Sequence, residues 1–334
     1  MPSMEHSTLP SNGTGGGRTG KVGVAVIGCG YWGLKLVRNL ADNSGFSLVA
    51  VCDKDMRRLA PLRDRYPCAA RTSDIKEVLG DGRVDAVVIA TPATTHYRLA
   101  KQALEKGKHV MVEKPLAVSS REAQALVSLA RKRRRVLLTG HTYLYSPWVV
   151  QVKKCLSRRA LGRVYTVDFW RAGKNPNPDV DVFWDLAPHD ISIALYWLGR
   201  RPISVRAEAR GFGSNGLKEA GLISMDFPGG IWVRSHVSWL SCVKIRLSNI
   251  VGSQGILAWD DADSSEVVKM YGAQKIPAPG IPLSEPLSLE CADFLRSIKT
   301  GAPPRSGVEF GLHVVRVIDA ARKSLELNGL PVRP

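Results

Sequence analysis

No stretch of this chain approaches the roughly 20 consecutive apolar residues that span a bilayer, so nothing in it reads as a membrane helix. The first twenty residues lack the apolar core of a leader. Polar and glycine-rich, residues 1–20 read as a disordered tail and not as a signal peptide. The six cysteines (Cys29, Cys52, Cys68, Cys155, Cys242, Cys291) form no C-x-x-C pair. Such scatter argues against zinc and against a disulfide framework, and fits a reducing, cytoplasmic compartment. No internal repeat is present. Acidic residues are the scarcer charge: 30 Asp and Glu against 47 Lys and Arg leave a net charge of +17. That excess raises nucleic acid as a partner, but no aromatic-interleaved or zinc-type motif accompanies it. The densest run, Arg131-Lys132-Arg133-Arg134-Arg135, falls where a helix ends and a strand begins. Cations there complement the helix C-terminus on a solvated face. A phosphorylated or nucleotide-linked small substrate explains a basic surface at least as well. The partners expected are therefore a small molecule, with neither nucleic acid nor membrane.

What is present is ordinary globular material. At 334 residues, 44% apolar and 23% charged, the chain predicts about two domains with ample buried core. Its organising stretch runs from Val22 to Leu34. An unbroken apolar run to Ile27 reads as a fully buried strand, and it stops at Gly28, Gly30 and Gly33, spaced G-x-G-x-x-G. Glycines so placed allow a tight turn, close approach of a pyrophosphate, and close helix–strand packing. An amphipathic segment from Leu34 to Leu40 follows, then a second apolar strand, Phe46 to Cys52, that ends at Asp53. Asp53 lies twenty residues after Gly33, where a dinucleotide site needs a carboxylate for the ribose hydroxyls.

Strands and helices alternate as far as residue 140. The sequence predicts a charged helical stretch from Met56 to Tyr66, a short strand near Ala69, and a small helix from Asp74 to Leu79 capped by Ser73. A buried strand, Val84 to Ala90, ends in Thr91-Pro92, because proline cannot donate to the ladder. A helix from Thr95 to Lys106 closes at Gly107. The strand Lys108 to Val112 then delivers Glu113-Lys114-Pro115 to the same sheet edge. Ser119 and Glu122 fit a capping box, and Val136 to Thr139 is a last parallel strand. This alternation predicts a doubly wound sheet whose carboxyl edge is a ligand crevice. Beyond His141 the pattern changes. Helices are expected near Trp148 to Leu156 and from Trp184 to Leu198, with a strand at Arg163 to Arg171 and a Pro/Asn/Asp loop at 175–181 between them. From Ile203 to Tyr271, turns at 213–216, 228–230 and 252–255 punctuate short alternating segments, which suggests an antiparallel sheet. A Pro-rich loop, 277–286, leads to two closing helices, Leu287 to Thr300 and Val308 to Leu327.

Two features carry chemistry. Lys114 stands at a strand end facing the crevice, and Asp185 and His189 stand four apart in a segment read as helical, so they share a face. An imidazole near neutral pKa, a cation for a developing alkoxide and a carboxylate to orient the ring suffice to oxidise an alcohol beside a nicotinamide. A solvated Lys114 and a helix-capping His189 are the competing readings.

The motifs Gly28-Cys29-Gly30-Tyr31-Trp32-Gly33, Thr91-Pro92-Ala93-Thr94-Thr95-His96, Glu113-Lys114-Pro115 and Asp185-Leu186-Ala187-Pro188-His189, in this order and spacing, resemble the glucose–fructose oxidoreductase/inositol dehydrogenase/rhizopine catabolism family. The resemblance covers about residues 21 to 330. It implies an N-terminal Rossmann domain, residues 21–140, and a C-terminal α+β domain, residues 141–334, with an open, mostly antiparallel sheet that serves substrate binding and oligomerisation. The last helix of that domain is a candidate to pack back on the first. A cis bond before Pro115 is also implied. Lys114 would hold the reacting oxygen, His189 would be the acid/base and Asp185 its partner. Gly28, Gly30, Tyr31, Trp32, Gly33, Asp53, Glu113 and Lys114 would bind cofactor, while Thr91, Pro92 and His96 would shape the nicotinamide-ribose wall.

Ala187 stands where the family commonly has glycine and Ser192 where it has aspartate. These departures, with His141-Thr142-Tyr143-Leu144-Tyr145-Ser146-Pro147, resemble a branch acting on nucleotide-linked sugars such as UDP-N-acetylglucosamine and its uronic acid, at the 3-hydroxyl. Inositol or free-sugar oxidation, keto-sugar reduction and a non-catalytic NAD(P)-sensing regulator are the alternatives. Asp53 favours NAD, since a carboxylate repels a 2′-phosphate; Arg57 and Arg58 nearby keep NADP as the second choice. Tyr143 and Arg171 are candidate substrate contacts, with a plain surface arginine as the competing reading. Alternation from Ile231 to Trp239 puts large side chains on both faces of one strand, and the outer face suggests a homodimer or homotetramer. No metal is implied.

Overall fold

The two strands at the centre of the first sheet, Val22–Ile27 and Ala86–Ile89, are apolar runs without a polar residue. The computed structural model describes residues 20–174, 180–213, 216–262, 268–272 and 285–334. Residues 1–19 of the expected tail, 175–179, Ser214 and Asn215, and most of the Pro-rich loop (277–284) lie outside these. Chain order in the first lobe is β1 (Val22–Ile27), α1 (Tyr31–Asp42), β2 (Phe46–Cys52), α2 (Leu62–Arg65), β3 (Ala70–Thr72), α3 (Ile75–Gly80), β4 (Ala86–Ile89), α4 (Ala93–Glu105), β5 (His109–Glu113), α5 (Ser120–Arg133) and β6 (Leu137–Gly140). The strands lie side by side as β3-β2-β1-β4-β5-β6, with parallel pairing throughout. Every residue of β1, β4 and β6 is buried, as helices on both faces require. Chain order reverses between β1 and β4, which opens a crevice at their carboxyl ends.

The second lobe contains α6 (Pro147–Ser157), β7 (Val164–Ala172), α7 (Val182–Asp185), α8 (Ala187–Leu198), β8 (Ser204–Arg210), β9 (Ala220–Phe227), β10 (Ile231–Ser238), β11 (Ile245–Gly252), β12 (Gly255–Asp260), β13 (Val268–Gly272), α9 (Pro286–Thr300) and α10 (Val308–Glu326). Its seven strands are ordered β13-β12-β11-β7-β10-β9-β8. All neighbours are antiparallel except β7 and β10. The fold is therefore α/β, a doubly wound parallel sheet followed by a mostly antiparallel one. One face of the second sheet is the core side. Phe169 stacks on Trp197 at 5.8 Å between centroids, and Trp197 meets Trp259 edge-on at 6.0 Å. Burying each such ring contributes about 2–3 kcal/mol. α10 packs against α5 and β6 as well as against α8 and β8, and α9 packs against α1, so the closing helices join both lobes.

Three local expectations are corrected. Met56 to Tyr66 is not one helix: a single 3-10 turn, Met56–Arg58, precedes α2, because Pro61 between them lacks an N–H and starts the second piece. Asp74, not Ser73, caps α3, its carboxylate accepting from Lys76 N at 2.8 Å. The helix expected over 184–198 is broken at Leu186 into α7 and α8. Pro188 explains the break, since its ring would clash with the carbonyl of Trp184 in a continuous helix.

Candidate active site

The carboxyl ends of β1, β4, β5 and β6 face the end of β7 and the α7–α8 junction across a cleft of about 1010 Å³. On the first-lobe side, Gly28 adopts φ +94°, and a Cβ there would collide with the carbonyl of Ala90. A Cβ on Gly33 would penetrate the Gly28 carbonyl, so α1 can sit on the turn only without one. At Gly30 the nearest atom would be Arg58 Nη1 at 3.6 Å, which leaves that side open. No side chain caps α1 and no acidic residue lies in its first turn, so its free N–H groups and positive dipole end face the cleft. Asp53 is held beside this turn: Oδ2 accepts from Cys29 N at 2.7 Å and Oδ1 from Asp55 N at 2.9 Å, with Arg58 Nη1 3.7 Å away. An uncapped helix end, a glycine cradle and a fixed carboxylate fit a dinucleotide.

Tyr31, Trp32, Thr91, Pro92, Glu113 and Lys114 all line the cleft. Tyr31 is 78% exposed, and the Lys35 ammonium lies over both its ring and that of Trp32. The Trp32 indole donates to the Glu113 carboxylate, which packs against Gly140. Burial raises the Glu113 carboxyl to about 7. The Lys114–Pro115 bond is cis. His96 lies behind the wall, 1% exposed, with Nδ1 2.7 Å from the Pro115 oxygen and Nε2 2.8 Å from the Thr91 oxygen. It ties the β4 and β5 loops together from the protein side.

Lys114 crosses to the second lobe. Its Nζ donates to the Asp185 main-chain oxygen at 2.7 Å and to Asp185 Oδ1 at 3.2 Å. The carboxylate's other oxygen accepts from Trp239 Nε1 at 3.2 Å. Asp185 and His189 thus do not share a continuous helix face, and the Asp185 carboxylate pairs with Lys114 and Trp239, not with the imidazole. His189 lines the same cleft, half-buried, with Nδ1 free of hydrogen bonds. Burial holds this imidazole well below its usual pKa, and the nearby charges of Lys114 and Arg171 push it the same way. The ring meets Tyr143 edge-on at 5.1 Å.

Tyr143 and Arg171 both line the cleft as well. Arg171 is no surface arginine: it is buried, with Nε donating to Asp190 Oδ1 at 2.8 Å. Its Nη1 donates to the Tyr143 hydroxyl at 3.1 Å, and that hydroxyl donates to Asp261 Oδ2 at 2.8 Å. Arg246 Nη1 reaches the same oxygen at 3.3 Å. Among the described residues, no group of three or more His, Cys, Asp or Glu could hold a metal.

The model of an oxidoreductase family with an NAD-binding Rossmann fold matches residues 22–141, and the GFO/IDH/MocA C-terminal domain matches residues 149–258. The chain belongs to the Gfo/Idh/MocA oxidoreductase family. Its cofactor is accordingly NAD. An inositol 2-dehydrogenase of Rhizobium meliloti is 25% identical over 319 residues, 90% of this chain and 96% of that one. A UDP-N-acetylglucosamine 3-dehydrogenase of Acidithiobacillus ferrooxidans is 33% identical over 184 residues, 54% and 56% of the two chains. The WlbA dehydrogenase from Bordetella pertussis, solved with NADH and UDP-GlcNAcA, superposes with a TM-score of 0.86 at 19% identity, covering 95% of this chain and 98% of that one. At that identity the likeness concerns the fold.

Sequence reasoning did not single out Asp190, Trp239, Arg246 or Asp261 in this Gfo/Idh/MocA member. Asp190 anchors Arg171 and also accepts from Ser235 Oγ at 2.8 Å. It lay one residue beyond the His189 motif, in view but without a role. Nor did it assign chemistry to His141, 1% exposed with both ring nitrogens unpartnered, or to Glu290, fully buried and accepting from Thr142 Oγ1 at 2.8 Å. For these, burial was the missing information.

Proposed function

We propose that this Gfo/Idh/MocA oxidoreductase moves a hydride between NAD and the carbinol carbon of a sugar, with a nucleotide-linked hexose such as UDP-N-acetylglucosamine or its uronic acid, reacting at C3, as its substrate. The observation that carries this is that Lys114 and His189, contributed by different lobes, line one cleft. His189, held neutral by burial, takes the hydroxyl proton. The Lys114 ammonium holds the substrate oxygen and stabilises the negative charge that develops on it. Asp185 fixes that ammonium from behind, through its main-chain oxygen and its carboxylate. Bound NAD supplies the acceptor for the hydride leaving carbon, or the donor in keto-sugar reduction. The glycine turn and α1 N-terminus hold the pyrophosphate, Asp53 the adenosine ribose, and Tyr31, Trp32, Thr91, Pro92 and Glu113 the nicotinamide side, with His96 positioning their loops.

The second lobe supplies the sugar site. Arg171, Lys174, Lys244 and Arg246 line it against Asp185, Asp261 and Glu285, an excess of cations that suits an anionic substrate. Tyr143 and Arg171 contact the sugar. Inositol is the second reading, because the relative aligned over 96% of its length is an inositol 2-dehydrogenase. We further propose a cytoplasmic location, in keeping with six cysteines that are all free, and a homo-oligomer joined through the exposed Trp170 and Trp232 face of the second sheet.

The test is NADH formation, followed by absorbance, with UDP-N-acetylglucosamine, its uronic acid, myo-inositol and free hexoses. The highest kcat/KM is expected for a nucleotide sugar. If no sugar produced NADH and no keto-sugar consumed it, the fold would be serving NAD-dependent regulation instead.

A further inference from the structure

A second groove lies at the far end of the antiparallel sheet. β7 enters the catalytic cleft at Ala172, and its opposite end, eight residues back at roughly 3.3 Å per residue, borders a groove of about 450 Å³. Lys153, Arg159, Arg163 and Arg200 line this groove, and no carboxylate does. None of the four cations forms an ion pair among the described residues. Each of three is instead fixed by a backbone oxygen: Arg163 Nη2 donates to Gly229 at 3.1 Å, Arg200 Nη1 to Pro228 at 3.0 Å, and Lys153 Nζ to Trp197 at 3.0 Å. The first two acceptors belong to one tight turn, Pro228-Gly229-Gly230, whose glycines have φ +84° and +74°. Two guanidinium groups are therefore oriented by the same turn, and among the described residues their remaining N–H groups have no acceptor. Leu156, Val164, Leu198 and Ile231 supply apolar walls.

Four cations gathered around one groove with no carboxylate among its lining residues favour an anion there. Planar guanidinium forks match phosphate oxygens in geometry as well as charge. We infer that this groove binds a small polyanion of the diphosphate class, at a site separate from the catalytic cleft. The inference does not depend on the identity of the sugar substrate. Half-burial of Lys153, which lowers its pKa, is in keeping with a cation placed to meet a ligand and not merely solvated.

The experiment is calorimetric titration of the full chain with pyrophosphate at fixed ionic strength, with NAD saturating so that the dinucleotide site is closed. One saturable site per chain is expected that survives Lys174→Gln combined with Lys244→Gln in the catalytic cleft. Arg163→Gln combined with Arg200→Gln should weaken it at least tenfold, as should Arg159→Gln alone to a smaller degree, with NAD affinity unchanged. Arg131→Gln combined with Arg133→Gln, on the basic run elsewhere, should leave it intact. Circular dichroism and thermal melting report whether each variant is folded; Arg159 makes no bond whose loss would unfold the chain. Equal binding by all variants, absence of a saturable site, or displacement of pyrophosphate by a DNA duplex with steep salt dependence would each overturn the proposal.

Discussion

The Lys114 ammonium lies 2.7 Å from the main-chain oxygen of Asp185, across the gap between two lobes. That oxygen is available because the helix breaks at Leu186: in an unbroken helix it would accept from His189 N, which here turns to the Leu186 oxygen at 3.3 Å. A local consequence of Pro188 thus becomes an interlobe anchor for a cation.

Replacing Lys114 by Ala should therefore lower kcat for sugar oxidation roughly a hundredfold or more, the usual cost of removing a donor to a developing oxyanion. Asp185→Asn, which retains the main-chain acceptor, should cost less. The measurement is steady-state NADH formation, and a Lys114→Ala enzyme with unchanged kcat would remove the lysine from the chemistry.

His189 is held well below the ordinary imidazole value, first by burial and then by Lys114 and Arg171. A base so shifted stays unprotonated as the solution is acidified through 6.5. The acid limb of kcat/KM for oxidation should accordingly fall well below that pH, and His189→Asn should lose about 10²- to 10⁴-fold in rate. A limb centred at 6.5 would indicate a solvated imidazole instead.

The parts of this site legible in the sequence are those whose constraint is local. Buried parallel strands write themselves as apolar runs, as in Val22–Ile27; Gly28 marks a turn at φ +94°, and Gly33 marks the contact of α1 with that turn. Glu113-Lys114-Pro115 was readable because the β5 strand must end at the sheet edge. What was not readable is pairing at a distance. Tyr143 meets Asp261 across 118 residues and Lys114 meets Asp185 across 71, and no periodicity carries that information. The Asp185–His189 pairing was inferred from a helix that Pro188 does not allow.

His141 offers a stability test. It is 1% exposed, neither ring nitrogen has a partner, and burial lowers its pKa to about 3. An unfolded histidine titrates near 6.5, so the contribution of this buried neutral ring is full above that pH and is lost as pH falls from 6.5 towards 3. His141→Phe should flatten the acid loss in that window. At pH 7 it should also stabilise by about 1 kcal/mol or more, since buried polar atoms without partners cost that much. Urea midpoints at pH 7 and pH 5 measure both; a variant with the same pH dependence as the parent chain would contradict the assignment.

We propose that Asp53 sets the cofactor choice through charge. Its carboxylate accepts from Cys29 N and Asp55 N and stands 3.7 Å from Arg58. Asn at this position keeps one acceptor for the turn but removes the repulsion of a 2′-phosphate and frees Arg58 to meet it. The NAD-over-NADP ratio of kcat/KM should fall at least tenfold in Asp53→Asn. An unchanged ratio would place the discrimination elsewhere.

The outer face of the second sheet carries Trp170, 51% exposed, and Trp232, 42% exposed, beside Leu247 and Ile256. Register explains their grouping: Trp170 pairs with Leu247, and on the neighbouring strand Trp232 pairs with Thr166 of the same β7 face. A sheet face that leaves four large apolar side chains exposed on either side of one ion pair, Asp168–Arg234, calls for a partner surface. A second copy of the same face supplies one, by two-fold symmetry. Trp170→Glu and Trp232→Glu together set like charges against each other across such an interface. Light scattering after size exclusion should find an oligomer for the parent chain and a folded monomer for the double variant. A parent chain that is monomeric at micromolar concentration, or a double variant that still assembles, would show that this face does not join the copies.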